Sequence, residues 1–293
     1  MRLELIQGGR YARTVDVVAH EPAVRITIFV VIFGIIAIYE AVAPRRPRLI
    51  SRRIRWPNNL ALPVLNTLLV RMLFPAAAVG MSILAEERGW GLFHAIDPLP
   101  GWLVIMTVVV LLDLAIYLQH VLFHAVPLLW RLHRMHHADL DVDVTTGARF
   151  HPIEIVLSMI LKFGAIVALG TPPLAVLVFE ILLSAGSLFN HANLGLSSRA
   201  DGVLRWLVVT PDMHRVHHSA ELTEANSNFG FTLPWWDRVF GTYRAQPATG
   251  HERMALGLAQ FRTPNDLRLD RLLLQPFLDD ATPPAVTNQP VIR

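Results

Sequence analysis

Eight of the chain's 13 histidines fall into three short runs: His120 and His124 as H-x-x-x-H, His133, His136 and His137 as H-x-x-H-H, and His214, His217 and His218 as H-x-x-H-H again. On a helix, positions i, i+3 and i+4 share a face, so each triplet is expected to aim three imidazoles at one point and the i, i+4 pair to do the same. Neutral imidazole is a common metal ligand, and eight of them exceed the roughly four that one tetrahedral ion takes. They suit two metals with open positions. A lone histidine of this kind reads as an ordinary hydrogen-bonded residue; three clusters at helix-face spacing do not. Imidazole serves iron, zinc and copper alike, so the ligand type leaves the element undecided. Cysteine is absent, which excludes disulfides, thiolate zinc, iron–sulfur clusters and covalently attached haem.

The elements that must position these rings are apolar. The 293 residues are 53% hydrophobic and only 17% charged, the balance of an integral membrane protein. Residues 26–39 hold no charge, and 101–119 hold one, with a helical length of roughly 28 Å that matches a hydrocarbon core. Between them, 60–85 is long enough to cross, but Pro63, Asn66, Arg71 and Pro75 predict a kinked or bundle-facing span. The block 153–189 is split by "GTPP" at 170–173, which predicts a helical hairpin. No cleavable leader is evident, because the first 22 residues are polar and no cleavage site follows the first apolar block.

Six arginines in twelve residues, "PRRPRLISRRIR" at 44–55, lie between the first two spans and by the positive-inside rule mark a cytoplasmic loop. The second span then leaves, the third returns at His120, and the hairpin brings the chain back to the same side. Both histidine-rich regions, 120–137 and 191–218, are therefore expected on one cytoplasmic face. Residues 264–278 read as a short amphipathic helix on the membrane surface, and 281–293, with three prolines, as disordered. The simplest partition is a polar segment 1–22, two spans and their loops 23–99, a catalytic unit 100–245 and a tail 246–293. The arginines cluster beside spans and no DNA or RNA motif is present, so no nucleic-acid partner is expected.

The succession "QHVLFH", "WRLHRMHH", "RFHPIE", "PDMHRVHHS", "NSNFGF" and "WWDRVFGTY", over roughly 100–244, resembles the fatty acid hydroxylase and sterol desaturase superfamily of membrane di-iron oxygenases. The resemblance implies an all-α membrane protein, a helical stem with a cytoplasmic helical cap, in which the eight boxed histidines hold two iron ions (Fe2+/Fe3+) and O2 is the co-substrate. It implies hydroxylation or desaturation of a lipid, a sterol, fatty acyl chain or related molecule. The implied setting is a bacterial inner membrane. His191 in "FNHANL" sits where the family has a further histidine and is a ninth ligand candidate. His151 begins the helix entering the membrane and reads as a positioning residue rather than a ligand.

Asp113 lies on the stripe Asp113, Tyr117, His120, His124 and can orient a ligand imidazole, or equally serve as a bundle-facing polar residue. Asp212 reads as an N-cap before the last run, Arg71 as a functional or snorkelling cation, and Trp235, Trp236, Phe240 and Tyr243 as cap packing or interfacial anchors. His20, His94 and His251 receive no role. No nucleotide, flavin or haem signature is present, so electrons are expected from a separate ferredoxin or cytochrome with its reductase. Two rivals stand beside this reading: a zinc-dependent membrane hydrolase with Glu154 or Glu221 as base, and a metal transporter or sensor.

Overall fold

The computed structural model describes residues 20–96 and 99–279, and no strand occurs among them beyond the isolated bridges Pro44 to Leu194 and Ser219 to Leu256. Residues 1–19 of the polar start and the proline-rich end expected to be disordered lie outside the described residues. Helices α1 (Glu21–Val42), α2 (Arg52–Leu73), α3 (Ala77–Arg88), a single turn α4 (Leu92–Ala95), α5 (Gly101–Ala125), α7 (Pro152–Leu169) and α8 (Pro173–Asn190) form a stem. Helix α6 (Pro127–His137), with the shorter α9 (Ser198–Leu204), α10 (Pro211–His217), α11 (Leu222–Ala225), α12 (Trp235–Val239) and α13 (Leu269–Leu274), belongs to a cap over one end. Ala78 and Val79 of α3, Val108 and Leu112 of α5, Ile166 of α7 and Val176 and Phe179 of α8 make the stem's buried core. Ile26, Ile35, Leu68, Met106, Leu118 and Ile160 point outward and exposed, as a lipid-facing surface requires.

The second span departs from expectation. Pro57 and Pro63 are accommodated inside α2, but the helix stops at Phe74, and α3 is a separate element. Pro75 has no N–H and its ring bars Phe74 from helical geometry, which leaves Phe74 at φ −131° and ψ 76°. Arg71 sits exposed in the last turn of α2, at the end remote from the cap. The hairpin does form: α7 and α8 have 18 residues each, about 27 Å apiece, enough to cross. Its tip uses Gly170 in the left-handed region, where a Cβ would collide with the carbonyl of Trp90, while one on Gly91 would collide with the backbone of Gly170. The hairpin therefore returns His191 to the end of the stem that carries His120 and His124.

Buried ion pairs lock the cap to the stem. Arg55 of α2 is fully buried and donates to Asp139 at 2.8 Å and to Asp143 at 2.7 Å, while Asp141 accepts from the amides of Leu49 and Ile50. Glu40, near the end of α1, accepts from the amides of Val144 and Asn193 at 2.8 and 2.7 Å and pairs with Arg52. Arg52 and Arg55, both among the six arginines that signal topology, thus also hold the cap in place. Burial acts to raise the Asp139 pKa, but Arg55 and Arg149 outweigh it and keep the carboxyl below the ordinary range.

The C-terminal segment differs too. Residues 264–277 break into a 3-10 turn, the six-residue α13 and a second 3-10 turn. Leu267 packs with Ile50 and Leu140, and Leu272 with Leu62 and Met135, while Leu274, Phe277 and Leu278 of the same segment stay exposed. Arg131 and Arg134 of α6 fasten it through the carbonyls of Pro276, Gln275 and Leu278.

Candidate metal centre

Nine histidines converge, and they divide into two groups. His120, His124, His133, His137 and His217 form one; His136, His191, His214 and His218 form the other, with the candidate ligand atoms of each group within 4.8 Å of one another. All of them except His124 are buried. Each triplet is split, against the expectation of one shared point. Successive helical residues are rotated by about 100°, so members i and i+4 differ by only about 40°, whereas i+3 lies about 100° from i+4. His133 and His137 accordingly stay together and His136 turns to the other group; His214 and His218 stay together and His217 crosses over.

Ring nitrogens meet in pairs. Nε2 of His120 is 3.1 Å from Nε2 of His133, that of His124 is 3.1 Å from His137, and that of His191 is 3.1 Å from both His136 and His214. The opposite nitrogens are already committed: Nδ1 of His136 donates to the Arg149 carbonyl at 3.1 Å and Nδ1 of His191 to that of Ser187 at 2.8 Å. A carbonyl only accepts, so these rings carry their proton on Nδ1. Burial, then neighbouring imidazoles, hold the His136 pKa well below its ordinary value, and burial pushes that of His191 down to about 4. Burial and the crowd of rings likewise depress His137, His214, His217 and His218. Both rings of the His136–His191 pair are therefore neutral, and their Nε2 lone pairs face each other at 3.1 Å. Lone pairs repel at that distance unless a cation lies between them, and two ligands of one ion, each about 2.1 Å from it, adopt such a spacing. The site fits metal on its own geometry.

The other Nδ1 contacts come largely from one loop. His120 donates to the Phe229 carbonyl at 2.8 Å, His217 to that of Ser227 at 2.8 Å, and His124 Nδ1 lies 3.3 Å from Asn226 Oδ1. "NSNFGF" thus orients three rings of the five-histidine group. Asp237 of α12 clamps this loop by accepting from the amides of Phe229 and Gly230, both at 2.8 Å, and Asn228 ties it to the carbonyls of Met213 and Arg244. "WWDRVFGTY" therefore carries more than packing, and the signal for it was the buried Asp237 among aromatics. His133 Nδ1 is 2.7 Å from Glu154 Oε1.

The remaining candidates fall outside the two groups. Asp113 does not bond an imidazole: Oδ2 accepts from Trp236 Nε1 at 2.9 Å and Leu233 N at 3.3 Å, which is the bundle-facing alternative. A carboxylate that orients a histidine was foreseeable in kind, but Glu154 supplies it. His151 is the N-cap of α7, its Nδ1 accepting from Ile153 N and its Nε2 donating to the Leu273 carbonyl. Asp212 is not a cap, because Thr210 caps α10; it pairs with Arg215 and, at 3.4 Å, with Arg45. His251, outside every histidine run, is buried 3.7 Å from Asp212. Glu154 faces the outer nitrogen of a ring and Glu221 is an exposed residue before α11, so neither is placed as a hydrolytic base.

Residues 105–242, which contain all nine histidines, match the family model described as fatty acid hydroxylase. This match, together with the relatives below, supports the fatty acid hydroxylase and sterol desaturase superfamily that the histidine runs resemble. It is 28% identical over 221 residues to the ornithine lipid hydroxylase of Rhizobium tropici, covering 73% of this chain and 65% of that protein. It is 32% identical over 172 residues to the alkylglycerol monooxygenase of Xenopus tropicalis and 30% identical over 146 residues to that of Homo sapiens. Those matches cover 56% and 50% of this chain but only 36% and 31% of the relatives. No solved structure matches the chain. Among the described residues, five apolar segments long enough to cross and the outward apolar surface identify an integral membrane protein.

Proposed function

We propose that this chain is a lipid hydroxylase in which the nine histidines hold two iron ions, five around one and four around the other. The observation that carries the proposal is the Nε2 convergence, with outer nitrogens tied to fixed acceptors so that lone pairs point inward. Two irons bound there would supply O2 activation for attack on an unactivated C–H bond. The protein orients and dries the site. Phe150 stacks on His136 with ring centres 4.5 Å apart, and Phe231 lies within 6.4 Å of His120, His191 and His214 while packing against the stem core. Phe231 thus stands between the lipid-side core and both groups, where an acyl or alkyl C–H bond would arrive.

Hydroxylation is favoured over desaturation because the similar proteins named above are a hydroxylase and monooxygenases. The cap is assigned to the cytoplasmic side, from the arginine-rich loop at 44–55 that packs against it, and electrons to a separate ferredoxin or cytochrome with its reductase. Metal analysis of protein purified without added metal, joined to lipid mass spectrometry of cells with and without the gene, tests the proposal. Two irons per chain and a lipid gaining one oxygen are expected; zinc with an O2-independent product would overturn it.

A further inference from the structure

The cap carries an apolar ridge whose charges are turned inward. In segments 203–207 and 232–240, the side chains of Val203, Trp206, Leu207, Trp235, Val239 and Phe240 are 42 to 70% exposed. Every charged residue of the two segments is withdrawn. Asp237 is fully buried on backbone amides, and Arg205 is bound to Asp201, Tyr243 and the Ala245 carbonyl. Arg238 lies over the rings of Trp206 and Tyr243, at 4.3 and 4.2 Å, and donates to the carbonyls of Pro234 and Arg205. Water solvates guanidinium groups well, so a surface built for water has no need to satisfy both internally while exposing tryptophan and valine.

The depth of this ridge is set by its contacts with α5. Trp236 Nε1 and Leu233 N both donate to Asp113, which precedes His120 by seven residues on the same helix, about 10 Å further toward the opposite side. Phe240 stacks on Tyr117 with centres 5.4 Å apart, one turn above Asp113, and Trp235 Nε1 reaches the Trp206 carbonyl at 2.8 Å. Asp113 lies well inside the apolar run 101–119, so groups bonded to it share that depth. A polypeptide can be immersed there when its backbone and charges are satisfied internally and its outward side chains are apolar.

We infer that residues 203–207 and 232–240 form a wedge inserted into the acyl region of the leaflet on the histidine side of the membrane, beside α5, so that the cap is partly embedded rather than resting on the surface. The occupant of this face is lipid chain. The wedge is independent of which metal is held, and it places the loop 226–230 that orients three histidines directly between bilayer and metal site.

The chain lacks cysteine, so single nitroxide labels can be placed cleanly on the full protein in phospholipid vesicles. Labels at Leu207→Cys and Val239→Cys are compared with Met106→Cys on the exposed stem and Glu252→Cys on the exposed cap. The expected result is a ratio of O2 to aqueous nickel-chelate accessibility at 207 and 239 that matches 106 and exceeds 252 severalfold. Ratios equal to that at 252 would overturn the inference. So would protection from both reagents with spin–spin broadening that vanishes on dilution with unlabelled chain, since a second copy would then cover the ridge. Val203→Cys supplies a third wedge position should either variant fail to extract as a monodisperse protein.

Discussion

Glu154 Oε1 lies 2.7 Å from His133 Nδ1, and among the described residues it is the one carboxylate bonded to a histidine of either group. A carboxylate behind an imidazole fixes its orientation and makes its other nitrogen a stronger donor to metal, and loss of such a partner typically costs 10- to 100-fold in metal affinity or activity. Glu154→Ala is expected to fall in that range, with metal lost from the five-histidine group first and Glu154→Gln milder. Asp113→Asn should instead keep both metals and loosen the Trp236 contact, seen as faster proteolysis of the cap. Equal metal loss in Asp113→Asn and Glu154→Ala would refute this division of roles.

The split of each triplet makes a stoichiometric prediction. His137→Ala and His217→Ala should lower metal content from two toward one per chain by emptying the same site, and combining them should add little. His137→Ala with His218→Ala touches both groups and should approach zero. His94→Ala, outside both, should leave the content unchanged. Metal analysis of monodisperse protein decides it, and a His137/His217 pair that empties both sites would refute the partition.

Much of the centre was legible because ligand spacing is a local property: all nine histidines grouped in the structure were readable as candidates, and the hairpin at 170–173 follows from one glycine and two prolines. The partition into five and four was not legible, since it depends on how α5, α6, α8 and α10 are rotated against one another. Partners that are backbone carbonyls, those of Ser187, Ser227, Phe229 and Arg149, leave no residue-type signature at all. Arg55 was counted as a topological charge, and only the fold shows it sealed against Asp139 and Asp143. The C-terminal segment divides its apolar residues, Leu272 packing on Leu62 and Met135 while Leu274 and Phe277 stay exposed, and composition alone does not reveal that division.

Phe231 borders rings from both groups and the stem core, so it should govern which carbon of the lipid is presented. Phe231→Leu is expected to retain metal while shifting the position of the added oxygen or lowering the yield several-fold. Fragmentation of the product in the mass spectrometer reads the position. An unchanged product at unchanged rate would remove Phe231 from the substrate path.

Sidedness is testable with a membrane-impermeant thiol reagent. Ser51 and Ser198 are exposed at the cap end and Glu87 is exposed near the hairpin tip, whereas Ser227 is buried with its hydroxyl on the Glu224 carbonyl and makes no reporter. Ser51→Cys and Ser198→Cys should react only from the cytoplasmic side and Glu87→Cys only from outside. Reaction of positions 51 and 198 from opposite sides would contradict the common end at which the nine histidines meet.

Metal-stripped protein should be sensitive to mild acid, and the sign follows from the rings. In the folded chain, burial and crowding depress His136, His137, His214, His217 and His218, and burial pushes His191 to about 4, while in the unfolded chain each titrates near its ordinary value of about 6.5. Between those values the unfolded state binds more protons, so stability rises with pH and is lost as pH falls below about 6.5. Each depressed ring contributes a slope of up to about 1.4 kcal/mol per pH unit, so several together make the dependence steep. The thermal midpoint of the stripped protein in detergent should drop sharply between pH 7 and 5.5 and stay nearly level from pH 7 to 8.5. Bound metal should raise the midpoint at neutral pH and lose that effect as pH falls, because it binds only the neutral rings. A flat profile below pH 6.5 in the stripped protein would mean that the rings are not held neutral by the fold.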